Sequence, residues 1–256
     1  MDPPPLLEAR GLAKEFGGVM AVHDVDFAVR AGQIKAMIGP NGAGKTTIFN
    51  VITGVFPPSR GSVWFRGEPL VGLQPHAIAA LGIGRTFQTV QLFGGMTVLE
   101  NVMLGRHARS RSGILASALH TAAMRREEAA IRETSLAILE TVGLKDKAGQ
   151  IAASLPYGEQ RLTEIARALA MEPAMLLLDE PAAGLNREEK ARLGELILRL
   201  RRQGATLLLV DHHMDLVMGI SDEVLVLNYG EKIAEGPPEA IQRHEGVIAA
   251  YLGEGE

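Results

Sequence analysis

Cysteine is absent from the 256 residues, which excludes a disulfide framework and any thiolate metal site. No apolar run approaches the roughly 18–20 residues that a membrane-spanning helix needs. Neither sign of charge dominates: 26 Lys and Arg stand against 30 Asp and Glu, a net charge of −4. Nothing there argues for a nucleic-acid-binding surface. The opening Met1-Asp2-Pro3-Pro4-Pro5 has no basic region followed by an apolar run, so it does not read as a secretory signal. Internal repeats and low-complexity segments are missing too. These absences lead to the expectation of a soluble intracellular protein whose membrane connection, if any, runs through a partner. What is present is apolar material: 46% of the chain is hydrophobic, enough for a substantial core as one large domain or two smaller units.

The most informative stretch is Gly39-Pro40-Asn41-Gly42-Ala43-Gly44-Lys45-Thr46-Thr47, which fits the phosphate-loop pattern G-x-x-x-x-G-K-[ST]. A strand-like run, Gln33 to Ile38, leads in, and a helix-compatible run, Thr46 to Ile52, leads out. Glycines let the backbone curl so that successive N–H groups converge, and the helix adds its partial positive N-terminus. Lys45 suits the β- and γ-phosphates of a nucleotide, and the Thr46 hydroxyl suits Mg²⁺. A Gly-rich turn alone would not need the Lys-Thr pair that follows it.

Along the chain, Leu6 to Phe16 and Val19 to Val29 read as strands about a Gly17-Gly18 turn, and Val63 to Phe65 as another short strand. The first quarter is thus expected to be an antiparallel layer beside the nucleotide strand. Helices are expected at His76 to Leu81, from Thr97 (with Glu100 completing a capping pair), over Ala122 to Val142, Tyr157 to Ala170 and Glu188 to Arg202. Met175 to Leu178 and Ala205 to Val210 read as strands buried on both faces. Val224 to Leu227 and Glu231 to Ala234 read as strands about a turn, and short helices start near Pro238 and Glu245. Strands alternating with helices argue for an α/β core.

A phosphate loop is common to kinases, GTPases and many ATPases, and the residues downstream separate them. Leu176-Leu177-Leu178-Asp179-Glu180-Pro181 sets two carboxylates at the C-terminal end of a buried strand, the edge where open α/β sheets bind ligands. Asp179 suits the Mg²⁺ shell, and Glu180 suits a base that holds an attacking water. The competing account is a strand that simply ends in two solvated acids.

The phosphate loop, Gln88, Leu155-Pro156-Tyr157-Gly158-Glu159-Gln160-Arg161, Leu176 to Pro181, Ala183-Gly184-Leu185-Asn186 and His212 occur in the order found in the ATP-binding subunits of ABC transporters. The chain resembles that family from about Leu6 to its C-terminus. The resemblance is sharpest to the ATPases of branched-chain amino acid importers, through the long Gly105–Gly143 segment, Asp179 to Asn186, Leu216 to Asp222 and Ala250 to Glu254. It implies a P-loop NTPase core with a mixed sheet, an N-terminal antiparallel β layer and an inserted helical subdomain. The single domain would span 6–254, with the core at 6–88 and 162–254 and the insertion at 89–161.

The same resemblance implies roles. Phe16 would stack on adenine, although an aromatic beside Gly-Gly equally suits core packing. Gln88 would touch Mg²⁺ or the attacking water; a lone loop Gln is ordinarily solvated, so its assignment rests on its neighbours. His212 would bond the γ-phosphate. Tyr157, Gly158 and Glu159, in a signature that opens a helix, would meet ATP held by the opposite subunit of a dimer. Two departures stand out: Pro156 replaces the usual Ser of the signature, and Asn186 replaces an Asp common among relatives. His213 stands where an acid is expected and receives no role. The Arg106, His107, Arg109 and Arg111 cluster suits either a solvated helical surface or a membrane partner.

The function so implied is an ATP-hydrolysing subunit, needing ATP and Mg²⁺, that powers import of branched-chain or other amino acids. Its partners would be a second ATPase subunit in a homo- or heterodimer, transmembrane permease subunits and an extracytoplasmic solute-binding protein, with no nucleic acid. Its place would be peripheral, on the cytoplasmic face of the inner or plasma membrane. The alternatives are a lipid or export ATPase of the same class, a non-transport ABC ATPase acting on nucleic acid or ribosomes, and a small-molecule kinase. The last would leave the Leu155 to Arg161 run unexplained.

Overall fold

A computed structural model of the protein describes residues 4–107 and 122–252. β1 (Leu7–Phe16) and β2 (Val19–Val29) pair as an antiparallel hairpin about Gly17 and Gly18. β4 (Arg60–Phe65) and β5 (Glu68–Pro69) extend it into a sheet of order β2-β1-β4-β5. β4 starts three residues before the expected Val63, because Arg60 and Ser62 are drawn into register opposite Ala13 and Arg10 of β1. Arg-Gly-Ser carries no strand signal of its own, and pairing supplies what propensity lacks.

The second sheet comprises β3 (Ile34–Ile38), β6 (Ile83–Arg85), β7 (Met175–Asp179), β8 (Thr206–Val210), β9 (Glu223–Asn228) and β10 (Glu231–Gly236). Its order is β10-β9-β3-β8-β7-β6, parallel throughout except for β10 against β9. The apolar runs are explained by their alternation. Ile34, Ala36 and Ile38, with Leu176, Leu178, Leu207, Leu209, Val224 and Val226, face one core. Met37, Met175, Leu177, Leu208, Val210, Leu225 and Leu227 face the other, which they share with the antiparallel layer. β3, β7, β8 and β9 are therefore wet on neither side, whereas β10 at the sheet edge is largely exposed.

The helices are α1 (Lys45–Ile52), α2 (Pro75–Ala80), α3 (Val98–His107), α4 (Ala122–Val142), α5 (Tyr157–Leu169), α6 (Arg187–Arg202), α7 (Met214–Ile220), α8 (Pro238–Ile241) and α9 (Glu245–Leu252). α3, α4 and α5 contribute Val98, Leu139 and Ile165 to the first core. α5 runs unbroken across 161/162, where the sequence places the edge of the helical insertion. α7 carries no expectation from sequence. Its seven residues are too few to display a 3.6-residue repeat.

The topology fixes where chemistry can occur. β3, β8, β7 and β6 are consecutive neighbours, and Asp179 lies level with Val210 across β7 and β8. The phosphate loop, Asp211 to His213, Asp179-Glu180 and Gln88 all leave from the carboxyl ends of these parallel strands, the ligand edge of an open α/β sheet.

Candidate nucleotide site

Close packing shapes the phosphate loop. Gly39 has φ 147°, and a Cβ there would fall 2.1 Å from the Leu227 carbonyl oxygen; at Gly44, with φ 96°, it would fall 2.5 Å from that of Ala21. The loop is thus wedged between the end of β9 and the start of β2, and only glycine fits either wall. Gly230 N–H donates to the Ala43 carbonyl at 3.3 Å, and Ala43 N–H to that of Pro40 at 3.2 Å. Asn41 and Gly42 form the exposed rim, while Gly39, Pro40 and Ala43 are buried. Lys45 is buried, with Nζ donating to the Gly39 and Pro40 carbonyls at 2.6 and 2.7 Å. Its ammonium therefore sits at the loop it would serve. Thr46 is exposed and Thr47 half-buried in the first turn of α1. The curled glycines, the lysine and the helix start fit a polyphosphate.

Asp179 is 2% exposed, and its Oδ2 accepts from Arg85 Nη2 at 2.9 Å. Arg85 Nη1 donates to Asn50 Oδ1 and Thr53 Oγ1, each at 2.8 Å. Burial pushes the Asp179 carboxyl above its ordinary pKa, and the bond and charge of Arg85 oppose that rise. Among the described residues Arg85 engages only one of the two oxygens. Asp179 and Thr46 thus provide hard oxygen donors of the kind Mg²⁺ takes.

Glu180 follows with φ 46°, a left-handed conformation costing roughly 1–3 kcal/mol for a residue with a Cβ. Its N–H donates to the Val210 carbonyl at 2.8 Å, which holds the kink in place. The turn brings its carboxylate to the two other expected catalytic residues. Gln88 Nε2 donates to Glu180 Oε2 at 3.1 Å, and His212 Nδ1 lies 3.9 Å from the same oxygen. Gln88, Glu180 and His212 therefore meet at one atom.

The sequence offers no sign of how His212 is supported. Its ring lies 4.2 Å from that of His213, tilted 34°. His213 Nδ1 is 2.6 Å from Asp211 Oδ1, so Nδ1 carries the proton when Asp211 is ionised. Asp211 is buried, and its Oδ2 accepts from Ala182 N–H at 3.0 Å. Asp211 thereby links the histidine loop to the loop after Glu180. Sequence reasoning missed Asp211 and Arg85. An Asp before two histidines and an Arg ending a strand carry no pattern until the sheet brings them to one edge.

The remaining expected residues lie in two places. Phe16, 44% exposed, packs edge-on to Phe56 with centroids 5.1 Å apart, and Lys14 Nζ stands over both rings. Tyr157, Gly158 and Glu159 open α5 behind Pro156, whose carbonyl accepts from Glu159 and Gln160 N–H at 3.0 Å. Glu159 pairs with Lys147, and Tyr157 is half exposed with its ring against Gly184. Asn186, the unusual amide, caps α6: its Oδ1 accepts from Glu189 N–H at 3.0 Å, and Glu189 returns the bond to Asn186 N–H at 2.9 Å. Arg106 pairs with Glu172 at 2.6 Å; the side chain of His107, and Arg109 and Arg111, lie outside the described residues.

The family profile described as ABC transporter matches residues 22–183. The chain belongs to the ABC transporter family. The match runs from β2 through the phosphate loop, the helical insertion and Asp179-Glu180. A second profile, described as branched-chain amino acid ATP-binding cassette transporter, matches residues 231–256. The cassette is 46% identical over 251 residues, 98% of each chain, to the high-affinity branched-chain amino acid transport ATP-binding protein LivG of Salmonella typhimurium. Identity is 46%, again over 98% of each chain, to BraF of Pseudomonas aeruginosa, which bears the same description. A solved ADP conformation of an ATP-binding cassette of an ABC transporter superposes with TM-score 0.85 at 32% identity, covering 98% of this chain and all of that one. The fold and the class of ATPase expected from sequence are those found.

Proposed function

We propose that this cassette hydrolyses ATP to drive import of branched-chain amino acids, as one of two ATPase subunits seated peripherally on transmembrane permease subunits that receive cargo from an extracytoplasmic binding protein. Among the described residues no helix is long and apolar enough to cross a membrane, which suits a role exercised through partners. The cargo reading draws on the names of the relatives and on the C-terminal match at 231–256. A solved relative at 25% identity, described as a dimeric post-hydrolysis state of an ATP-binding cassette with ADP and Pi, supports the paired arrangement. The core at 6–88 and 162–254 would carry the nucleotide and the insertion at 89–161 the contact with the permease.

The observation that carries the catalytic reading is the meeting of Gln88, Glu180 and His212 at the sheet edge that bears the phosphate loop. In this reading the loop amides from Gly39 to Thr47 and the Lys45 ammonium bind the β- and γ-phosphates. Phe16 stacks on the base. Gln88 and Glu180 hold a water whose oxygen forms the new bond to the γ-phosphorus while the bond to the β–γ bridging oxygen breaks. Glu180 Oε2 receives the water proton, and the His212 ring steadies the γ-phosphate oxygens. Thr46, Asp179 and Gln88 would hold Mg²⁺, which supplies charge neutralisation for the leaving ADP oxygen. Tyr157 and Gly158 offer first-turn amides to nucleotide on the opposing subunit, so closure adds contacts that the open pair lacks. Glu159 is the least suited of that trio, since Lys147 engages its carboxylate.

The transport reading is tested by reconstituting the cassette with its permease and binding protein in proteoliposomes. ATP-dependent uptake of leucine, isoleucine or valine is expected. Uptake of a lipid or sugar with none of these would reassign the cargo and leave the ATPase reading standing.

A further inference from the structure

The segment carrying Gln88 presents an exposed surface, with Phe87, Gln88 and Thr89 all exposed, yet it is held from beneath by a fully buried ion pair. Arg161 and Glu164, one turn apart on α5, are 0% and 1% exposed and pair at 2.9 Å. Arg161 Nη1 donates to the Phe87 carbonyl, and Nη2 to that of Gln88, each at 2.6 Å. Nη2 also donates to the Tyr157 hydroxyl at 3.1 Å. Glu164 Oε1 accepts from Phe87 N–H and Gln91 N–H, each at 3.4 Å. Acid and base thus divide between them the carbonyl and amide faces of one short loop.

A buried pair is poor evidence for stability, because desolvating two charges can cancel their attraction. Burial indeed pushes the Glu164 carboxyl up against the pull of Arg161. What this pair supplies is geometry. The planar guanidinium fixes two successive carbonyls at once, which a lysine ammonium on a flexible stem does not reproduce. On the far side, Thr86 N–H donates to the Leu177 carbonyl of β7 at 3.0 Å, so the loop spans from the sheet to α5.

We propose that Arg161 and Glu164 form a clasp that holds the 87–91 backbone and so positions Gln88 against Glu180 within the same subunit. Arg161 and Glu164 are positioning residues: they reach the reaction through the backbone at 87–91. The inference rests on the reading of Gln88 as a partner of Glu180 in hydrolysis, and its test separates the two.

The chain lacks cysteine, so Thr89→Cys in the full-length protein gives a unique thiol for a spin label. Arg161→Met with Glu164→Leu removes both charges without stranding either. Three effects are expected: a more mobile label, ATP affinity within about twofold of the parent, and turnover lower by about tenfold. Added to Gln88→Ala, the same pair of changes is expected to cause no further loss. An unchanged label spectrum, or losses that multiply with Gln88→Ala, overturns the clasp. Should Gln88→Ala hydrolyse ATP at the parent rate, the role of Gln88 falls and with it the catalytic half of the proposal; label mobility then decides the loop-holding half. If the double variant fails to fold, Glu164→Gln is read by the same measurements, with the same outcomes deciding.

Discussion

At the scale of single residues, the site is governed by which carboxylate has a cation and which does not. Asp179 is held by Arg85, whereas Glu180 meets a neutral amide at 3.1 Å and an imidazole at 3.9 Å. That division suits a metal ligand beside a base. Glu180→Gln keeps the shape and loses the proton acceptor. ATP affinity by titration calorimetry should stay within about twofold while phosphate release falls by about a hundredfold or more. Near-normal turnover would remove Glu180 from the chemistry. Arg85→Met leaves Asp179 buried without its cation, at a cost of about 3 kcal/mol or more in chemical denaturation. The Asp179 carboxyl, already pushed up by burial, should rise further, so the acid limb of the rate–pH profile should move to higher pH. An acid limb that stays in place would mean Arg85 does not set the charge of Asp179.

At the scale of elements, the helix starts show how local sequence fixes direction. Thr97 and Glu100 satisfy each other at the head of α3, with Thr97 N–H donating to Glu100 Oε2 at 2.7 Å. Asn186 and Glu189 do the same for α6. The departure at Asn186 thus has a structural explanation within one chain: an amide oxygen caps a helix as well as a carboxylate does. Asn186→Ala should cost about 1 kcal/mol in urea denaturation, and Asn186→Asp close to nothing. Equal losses from both would show that the cap is not what Asn186 provides. Glu189 has a second task, since a Cβ on Gly158 would fall 2.5 Å from its Oε1. The start of the signature helix therefore rests on the start of α6.

At the scale of the whole molecule, nucleotide gripped from two subunits predicts a change of mass. Glu180→Gln with ATP and Mg²⁺ should run as a dimer by light scattering, and with ADP as a monomer. Differential binding of a few kcal/mol suffices for so large a shift. Lys45→Ala should remain monomeric with either nucleotide, for lack of affinity. A strictly monomeric Glu180→Gln at saturating ATP would count against the paired mechanism.

Much of this protein was settled by short-range rules. The phosphate loop is readable because its glycines, lysine and helix start are contiguous, although the walls that demand glycine at 39 and 44 come from distant strands. The runs at 175–179 and 206–210 are readable as doubly buried strands because a strand wet on neither face has no reason to alternate. The capping pair at Thr97 and Glu100 spans a single helical turn. Tertiary structure decided what depends on residues far apart in the chain meeting at one edge. Arg85 and Asp179, separated by 94 positions, form an ion pair only because β6 lies beside β7. Arg161 reaches the Phe87 and Gln88 carbonyls across 74 and 73 positions. No local propensity encodes such contacts. They follow from strand order, and strand order is fixed by how two apolar cores close over the same sheet.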